Sequence, residues 1–121
     1  MKYLGIDYGR KKIGLAISEG KLAEPMKVIR YKDIKLLVQQ IKQIIQKENI
    51  EIIVVGISEG EMAEESKKFA KEIGAEVFDE TLTSQDAISL SIQAGTGRKK
   101  RKKMEDAYAA TIMLQNYLDS R

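Results

Sequence analysis

The sequence contains neither cysteine nor histidine. Without cysteine there is no disulfide, no thiolate nucleophile and no thiolate metal ligand. Without histidine, imidazole cannot act as a catalytic base, a catalytic acid or a metal ligand, and a Ser-His-Asp triad is excluded. Any catalysis must therefore use carboxylates, hydroxyls or amines. The metal ions that suit such a set are hard cations that prefer oxygen ligands, Mg²⁺ or Mn²⁺.

Aromatic residues and long apolar segments are also scarce. With two Phe, five Tyr and no Trp, the chain is poorly equipped to stack many bases of a single strand and better suited to backbone and shape recognition. The apolar run from Ile52 to Val55 is far too short to cross a bilayer, and the opening MKYLGIDYG lacks the features of a signal peptide. We therefore expect a cytoplasmic protein with no membrane partner and one domain over residues 1–121.

Positive charge is concentrated in one run. The chain has 21 basic and 18 acidic residues, a net charge of +3, and six consecutive basic residues extend from Arg98 to Lys103. Without that run the net charge is −3, so the chain is a mildly acidic body with one basic patch. Such a run is usually a solvated loop, but basic side chains are also what phosphate contacts require. The predicted nucleic-acid-binding residues are Arg10, Lys11, Lys12, Arg98, Lys99, Lys100, Arg101, Lys102 and Lys103.

The spacing of apolar residues predicts an α/β fold. Alternating or continuous β-branched runs predict strands, and apolar residues at helical spacing predict amphipathic helices. The predicted strands are residues 2–7, 13–18, 26–31, 52–56 and 75–79; the predicted helices are residues 33–48, 62–73 (with Gly74 as its stop), 83–94 and 104–119. The basic run is expected to be a loop before the last helix. This order predicts a mixed five-stranded sheet, three antiparallel strands then two parallel, flanked by helices.

Acidic residues stand at the ends of two predicted strands. Asp7 ends the first strand, on the same face as Tyr3 and Gly5, although an Asp before a Gly can simply shape a turn. Asp79 and Glu80 end the last strand. Adjacent strand residues point to opposite faces, so at most one of this pair can join Asp7, and the periodicity does not choose between them.

Asp106 is a third acidic candidate. On a helix it shares one stripe with Ala110, Met113 and Tyr117, which are expected to face the sheet. Attraction to the positive end of the helix dipole would explain an acid in the first helical turn, but not its inward direction. Carboxylates that converge in this way repel one another unless a cation or a shared proton intervenes. The pattern therefore predicts a divalent-metal site suited to phosphodiester hydrolysis.

Five segments resemble a known family. They are GIDYGRKKIGLAIS at the start, IIVVG at residues 52–56, DETLTS at residues 79–84, the basic GRKKRKK, and EDAYAATIMLQNYL near the C-terminus. Together they resemble the YqgF (RuvX) family, whose members are described as Holliday junction resolvase-like proteins and as pre-16S rRNA nucleases. The resemblance covers nearly the whole chain in the right order.

The resemblance implies a ribonuclease-H-like fold and a divalent-metal nuclease that uses Mg²⁺ or Mn²⁺. It places the catalytic and metal-binding acids on Asp7, Glu80 and Asp106, and so selects Glu80 over Asp79. The implied substrate is structured nucleic acid, RNA favoured over DNA, in the processing of the 16S rRNA precursor during ribosome biogenesis. The implied assembly is a monomer or a weak homodimer.

The chain also departs from the family pattern. Thr81 stands where the family usually has Arg, Glu19 stands where an Asp often lies, and the loop ISEGEMAEES is shorter and more acidic than usual. Three alternatives therefore stay open: a Holliday junction resolvase acting on DNA, a non-catalytic nucleic-acid-binding module, and a phosphotransferase with an actin-like fold. The last is suggested by GIDYG followed by a hairpin, but such proteins generally need two copies of the fold.

Overall fold

The computed structural model describes residues 1–57, 62–79 and 98–120. Within these ranges it has five strands and three helices. The strands are β1 (Tyr3–Asp7), β2 (Lys12–Ser18), β3 (Ala23–Arg30), β4 (Ile52–Ile57) and β5 (Glu76–Asp79); the helices are α1 (Ile34–Lys47), α2 (Met62–Ile73) and α3 (Arg98–Asp119). The predicted helix over residues 83–94, Glu80 and Thr81 lie outside the described residues.

The five strands form one mixed sheet in the order β3-β2-β1-β4-β5. β1, β2 and β3 are antiparallel neighbours, whereas β4 and β5 run parallel to β1. The predicted mixed five-stranded sheet is therefore confirmed. Because β1, β4 and β5 point the same way, their last residues, Asp7, Ile57 and Asp79, lie at one edge of the sheet. We call this the carboxyl edge, where ligands of open α/β sheets commonly bind.

Helices cover both faces of the sheet. Leu4 and Ile6 of β1 are fully buried in a core shared with α1 and α2. Tyr3, on the other face, packs in a second core with residues of α3 such as Met113 and Leu114. This alternation is the expected consequence of strand geometry, in which successive side chains point to opposite faces. α3 alone therefore covers the second face of β1, β2 and β3 within the part of the chain that the structure describes.

Local signals explain the ends of α1 and α2. The Asp33 side chain accepts a hydrogen bond from the backbone N–H of Lys35 at 2.9 Å and caps the start of α1. Asn49, just beyond the end of α1, has a φ of 56°, and Gly74, just beyond α2, has a φ of 71°. Both adopt the left-handed conformation that commonly ends helices. The prediction that Gly74 stops α2 is confirmed.

Two predicted boundaries are wrong. β3 begins at Ala23 rather than residue 26 and includes Pro25, which is tolerated because β3 is an edge strand and because the register with β2 shifts beside it. The run from Arg98 to Lys103 is not a loop, since α3 begins at Arg98. Lys and Arg are good helix formers, but six consecutive charges have no apolar periodicity by which the helix could be recognised. None of the described helices is long and apolar enough to cross a membrane.

Candidate active site

Asp7 is the last residue of the central strand β1 and lies beside glycine on both sides. Its register partners are Gly14 in β2 and Gly56 in β4. A Cβ atom added to Gly5, two residues earlier on the same face, would lie 2.8 Å from Leu114 Cβ of α3. The Asp7 side chain therefore points to the face that α3 covers, as the strand alternation predicted. The two glycines leave that face of the sheet without side chains on either side of Asp7.

Gly14 brings Asp106 to the same place. A Cβ atom added to Gly14 would lie 1.9 Å from the carbonyl oxygen of Asp106 and 2.6 Å from the backbone nitrogen of Ala107. The backbone of α3 therefore rests directly on β2 at this position, and no other residue type would fit. Because Gly14 is also the register partner of Asp7, two of the three predicted acidic residues lie on one face, on adjoining elements.

The position of Asp106 within α3 rules out one explanation for it. α3 begins at Arg98, so Asp106 lies two turns inside the helix rather than in its first turn. The dipole effect falls off within the first turn, and it therefore does not account for an acid here. Asp106 instead ends a stripe whose other members, Ala110, Met113 and Tyr117, are buried against the sheet. Its own side chain is 29% exposed at the end of that stripe.

Lys12 forms an ion pair with Asp106. Lys12 Nζ lies 3.0 Å from Asp106 Oδ2, and the Lys12 side chain is 41% exposed. Lys12 precedes Gly14 by two residues in β2, so it points to the α3 face as well. Lys12 was predicted only as a phosphate ligand, whereas the structure makes it the cationic partner of a predicted metal ligand.

The turn between β1 and β2 is attached to α2. Arg10 Nε donates a hydrogen bond to Glu65 Oε2 at 3.2 Å, as part of an ion pair between exposed side chains. The rings of Tyr8 and Phe69 pack with their centroids 4.9 Å apart. Arg10, predicted to bind nucleic acid, thus also helps to fix the turn that follows Asp7.

The same turn is attached to the residue that follows β3. The Tyr31 hydroxyl donates a hydrogen bond to the carbonyl of Gly9, and the backbone N–H of Tyr31 donates to the Lys11 carbonyl at 3.0 Å. Burial, together with a hydrogen bond between Tyr31 and Tyr8, raises the pKa of the Tyr31 hydroxyl well above its usual range. The hydroxyl therefore stays protonated and remains a donor, so the turn is held from two sides.

The N-terminal half of α3 carries the basic run toward the carboxyl edge. Near the other end of the helix, Tyr117 packs against Tyr3 with ring centroids 6.3 Å apart, while Asp106 lies at the level of Asp7. α3 is therefore antiparallel to β1. With a rise of about 1.5 Å per residue, the run from Arg98 to Lys103 lies roughly 4 to 12 Å along the helix beyond Asp106.

Arg30 is a basic residue that the sequence analysis missed. It is exposed at the end of β3 and is the register partner of Lys12, so the two residues share the α3 face. The sequence placed Arg30 in a strand, but only the pairing of β3 with β2 puts it beside Lys12. Like charges at directly paired positions destabilise a sheet, which makes this pair a suitable place for an anion.

The third predicted acid cannot be placed beside the other two, because Glu80 lies outside the described residues. Within the described ranges, no group of three or more acidic residues is close enough to hold a metal ion. The structure thus brings Asp7 and Asp106 to one face, with Lys12 beside Asp106.

Comparisons with known sequences identify the family. The family described as "RuvX: Holliday junction resolvase" matches residues 1–120. A protein from Moorella thermoacetica is 34% identical over 133 aligned residues, which cover 98% of this chain and 95% of that protein. A protein from Carboxydothermus hydrogenoformans is 37% identical, covering 98% of this chain and 96% of that protein. Both bear the name "Putative pre-16S rRNA nuclease".

Solved structures agree on the fold. Thermus thermophilus RuvC in complex with a Holliday junction substrate superposes with a TM-score of 0.63 at 16% identity, covering 100% of this chain and 95% of that one. The fowlpox virus Holliday junction resolvase gives a TM-score of 0.66 at 14% identity, covering 99% of each chain. These identities are low, so the likeness concerns the ribonuclease-H-like fold. Fold and full-length sequence match together show that this chain is a nuclease that belongs to the RuvX family.

Proposed function

We propose that this nuclease hydrolyses phosphodiester bonds in structured RNA, with a divalent cation held by Asp7, Asp106 and Glu80. The observation that carries the proposal is that Asp7 and Asp106 share one face across Gly14, where the backbone of α3 rests on β2. Two carboxylates on rigid neighbouring elements are a preorganised set of oxygen donors.

The residues present fit a hard divalent cation. With no Cys or His in the chain, the donors at this edge are oxygens, the ligands that Mg²⁺ and Mn²⁺ prefer. Phe78 of β5 packs against Tyr117 of α3 with ring centroids 5.8 Å apart. The end of β5 therefore packs against α3, the helix that carries Asp106. Glu80 follows β5 in the sequence and is kept as the third ligand because of the family motif DETLTS. Such a cation would supply activation of water and stabilisation of the leaving oxygen.

The remaining site residues bind and position the substrate in this proposal. The basic run of α3, together with Arg10, Lys11 and Lys12, contacts backbone phosphates and sets the orientation of the nucleic acid without reading its sequence. The N-terminus of α3 adds the positive end of a helix dipole to the same region. Few aromatic residues are available for stacking, so recognition of helical shape is favoured.

The relatives favour RNA over DNA as the substrate. Relatives named as pre-16S rRNA nucleases are 33–37% identical across nearly their whole length, whereas the two solved structures described above are 16% and 14% identical. We therefore propose processing of the 16S rRNA precursor, in the cytoplasm, by a single domain over residues 1–121. Trimming RNA requires one active site, so a monomer or weak homodimer suffices. Resolution of a DNA junction, which needs two paired sites, is the second candidate.

A cleavage assay tests the proposal. Wild type, Asp106→Asn and Glu105→Gln are incubated with Mn²⁺ and either a 16S rRNA precursor or a four-way DNA junction. Glu105 is the exposed neighbour of Asp106 and is the matched control. We expect the precursor to be cut, Asp106→Asn to lose at least about 100-fold in rate, since even outer-shell changes at metal sites cost 10- to 100-fold, and Glu105→Gln to resemble wild type.

The other outcomes identify the alternatives. Cleavage of the junction but not of the precursor would favour the resolvase. Binding of both nucleic acids with cleavage of neither would indicate a non-catalytic module.

A further inference from the structure

In the ion pair between Lys12 and Asp106, the Lys12 ammonium group contacts a carboxylate that the proposed site needs as a metal ligand. Lys12 Nζ lies 3.0 Å from Asp106 Oδ2, the spacing of a direct charge-assisted contact. The backbone brings the two residues together, because Lys12 lies two residues before Gly14 and the backbone of Asp106 rests on Gly14. In this arrangement Lys12 neutralises one of the two acids that share the face.

A divalent cation and the Lys12 ammonium compete for this carboxylate oxygen. Mg²⁺ binds carboxylate oxygen at about 2.0–2.1 Å. A cation on the oxygen that Lys12 contacts would therefore lie within about 5 Å of Nζ, where a double and a single positive charge repel strongly. The repulsion favours the departure of one of the two. The Lys12 side chain is 41% exposed, and a lysine stem is flexible, so Lys12 is the one able to move.

The surroundings of Lys12 show where its charge would go. Arg30 is its register partner on the same face, and Lys11 precedes it in a turn held by Tyr31 and Glu65. Because that turn is fixed, release of the ion pair moves the side chain rather than the backbone. A freed Lys12 beside Arg30 presents two positive charges at the same edge of the sheet as the basic run of α3. This arrangement is suited to a backbone phosphate.

We propose that Lys12 is an internal counter-cation of Asp106 that a divalent metal ion displaces, after which Lys12 contacts a phosphate of the substrate. Metal binding thereby adds one phosphate contact, so the two ligands favour each other's binding. This inference rests on the proposed function, since it requires Asp106 to be a metal ligand.

Metal affinity is the first test. Mn²⁺ is titrated calorimetrically into wild type, Lys12→Gln and Lys11→Gln without nucleic acid. Lys11 is exposed in the same turn and makes no ion pair with the described residues, so it controls for loss of charge. We expect Lys12→Gln to bind Mn²⁺ about two- to five-fold more tightly, the range set by exposed ion pairs, and Lys11→Gln to match wild type.

The salt dependence of RNA binding is the second test. Affinity for a fluorescein-labelled RNA duplex is measured over a KCl series, in EDTA and in Ca²⁺, a hard cation used in place of Mn²⁺, with the duplex checked for integrity. In Ca²⁺, Lys12→Gln should flatten the slope of log affinity against log salt by about 0.7–0.9, the value of one phosphate contact. In EDTA it should change the slope little. Lys11→Gln should flatten it equally in both.

The outcomes separate this inference from the proposed function. If wild type binds Mn²⁺ and Lys12→Gln binds it no more tightly, or if Lys12→Gln flattens the slope equally with and without Ca²⁺, the counter-cation role is wrong while the metal site stands. If wild type does not bind Mn²⁺ at all, both the proposed metal site and the role of Lys12 fail.

Discussion

Gly14 is the single residue on which the geometry of the candidate site most depends. Its missing side chain lets the backbone of α3 rest on β2, and this contact sets Asp106 at the level of Asp7. The glycine is required for space rather than for an unusual backbone conformation. Gly14 does not have a positive φ, whereas Gly74 does. A methyl group at position 14 must therefore push α3 away from the sheet.

We expect Gly14→Ala to abolish most cleavage while costing about 1–3 kcal/mol of stability, the usual range for overpacking. Gly74→Ala is the matched control: it has open space around it but a φ of 71°, so it should cost about 1–2 kcal/mol through backbone strain alone and keep its activity per folded molecule. Urea unfolding and cleavage rates measure the two effects. A Gly14→Ala variant with wild-type activity would refute this account of how Asp106 is placed.

α3 is the element that joins the core to the proposed nucleic-acid-binding surface. Its C-terminal half is held on the sheet by the Tyr117 hydroxyl, which donates to Glu76 Oε2 at 2.6 Å. It is also held by the Gln115 side chain, which accepts from the Ala23 N–H at 2.8 Å and donates to the Lys21 carbonyl at 3.0 Å. The basic run begins in its first turn, which contains no acidic residue. Positive charge at a helix N-terminus is unfavourable, and bound phosphates would relieve it.

Replacing Lys99, Lys100 and Lys102 with Gln should weaken RNA binding and flatten its salt dependence by roughly 0.7–0.9 for each lost phosphate contact. The triple replacement with Arg keeps the charge and should keep the slope. Fluorescence anisotropy over a KCl series provides the measurement. A Gln variant whose slope equals that of wild type would show that the run does not contact the backbone.

At the scale of the whole molecule, the two faces of the sheet have different roles. The face covered by α1 and α2 forms an apolar core, which includes Leu4 of β1 and Ile73 of α2. The other face changes character along its length, from the buried aromatic contacts of Tyr117 to the charged pair of Lys12 and Asp106. Because Asp7 and Asp106 lie on elements anchored in the folded core, occupation of the proposed metal site should stabilise the entire fold.

Mn²⁺ at about ten times its dissociation constant should add about 1.4 kcal/mol to the stability of wild type, which corresponds to roughly 4–6 °C in melting temperature for a domain of this size. Asp7→Asn should lose most of this increase. Glu51→Gln, an exposed acid beside the opposite end of β4, should keep it. Thermal unfolding with and without Mn²⁺ checks the prediction, and an equal increase in Asp7→Asn would contradict the assignment of Asp7 as a ligand.

The sequence alone was sufficient for the order of the described strands and helices, the mixed sheet and the face on which Asp7 lies. These features follow from local patterns along the chain: alternation of apolar residues in β1, helical spacing in α1 and a glycine just after α2. The start of α3 could not be predicted in this way, because an unbroken run of basic residues has no period. The absence of Cys and His also limited the catalytic groups to carboxylates, hydroxyls and amines, and favoured hard cations as the metal ions.

Tertiary structure decided which charges meet. The contact of Asp106 with Gly14, the pairing of Lys12 with Asp106 and the position of Arg30 beside Lys12 all join residues on different elements. Such contacts depend on strand register and on how closely a helix approaches a sheet, and neither quantity is encoded in the spacing of residues along one element. For that reason Lys12 could be recognised from the sequence as a cation, but only the packing of α3 on β2 shows which acid it neutralises.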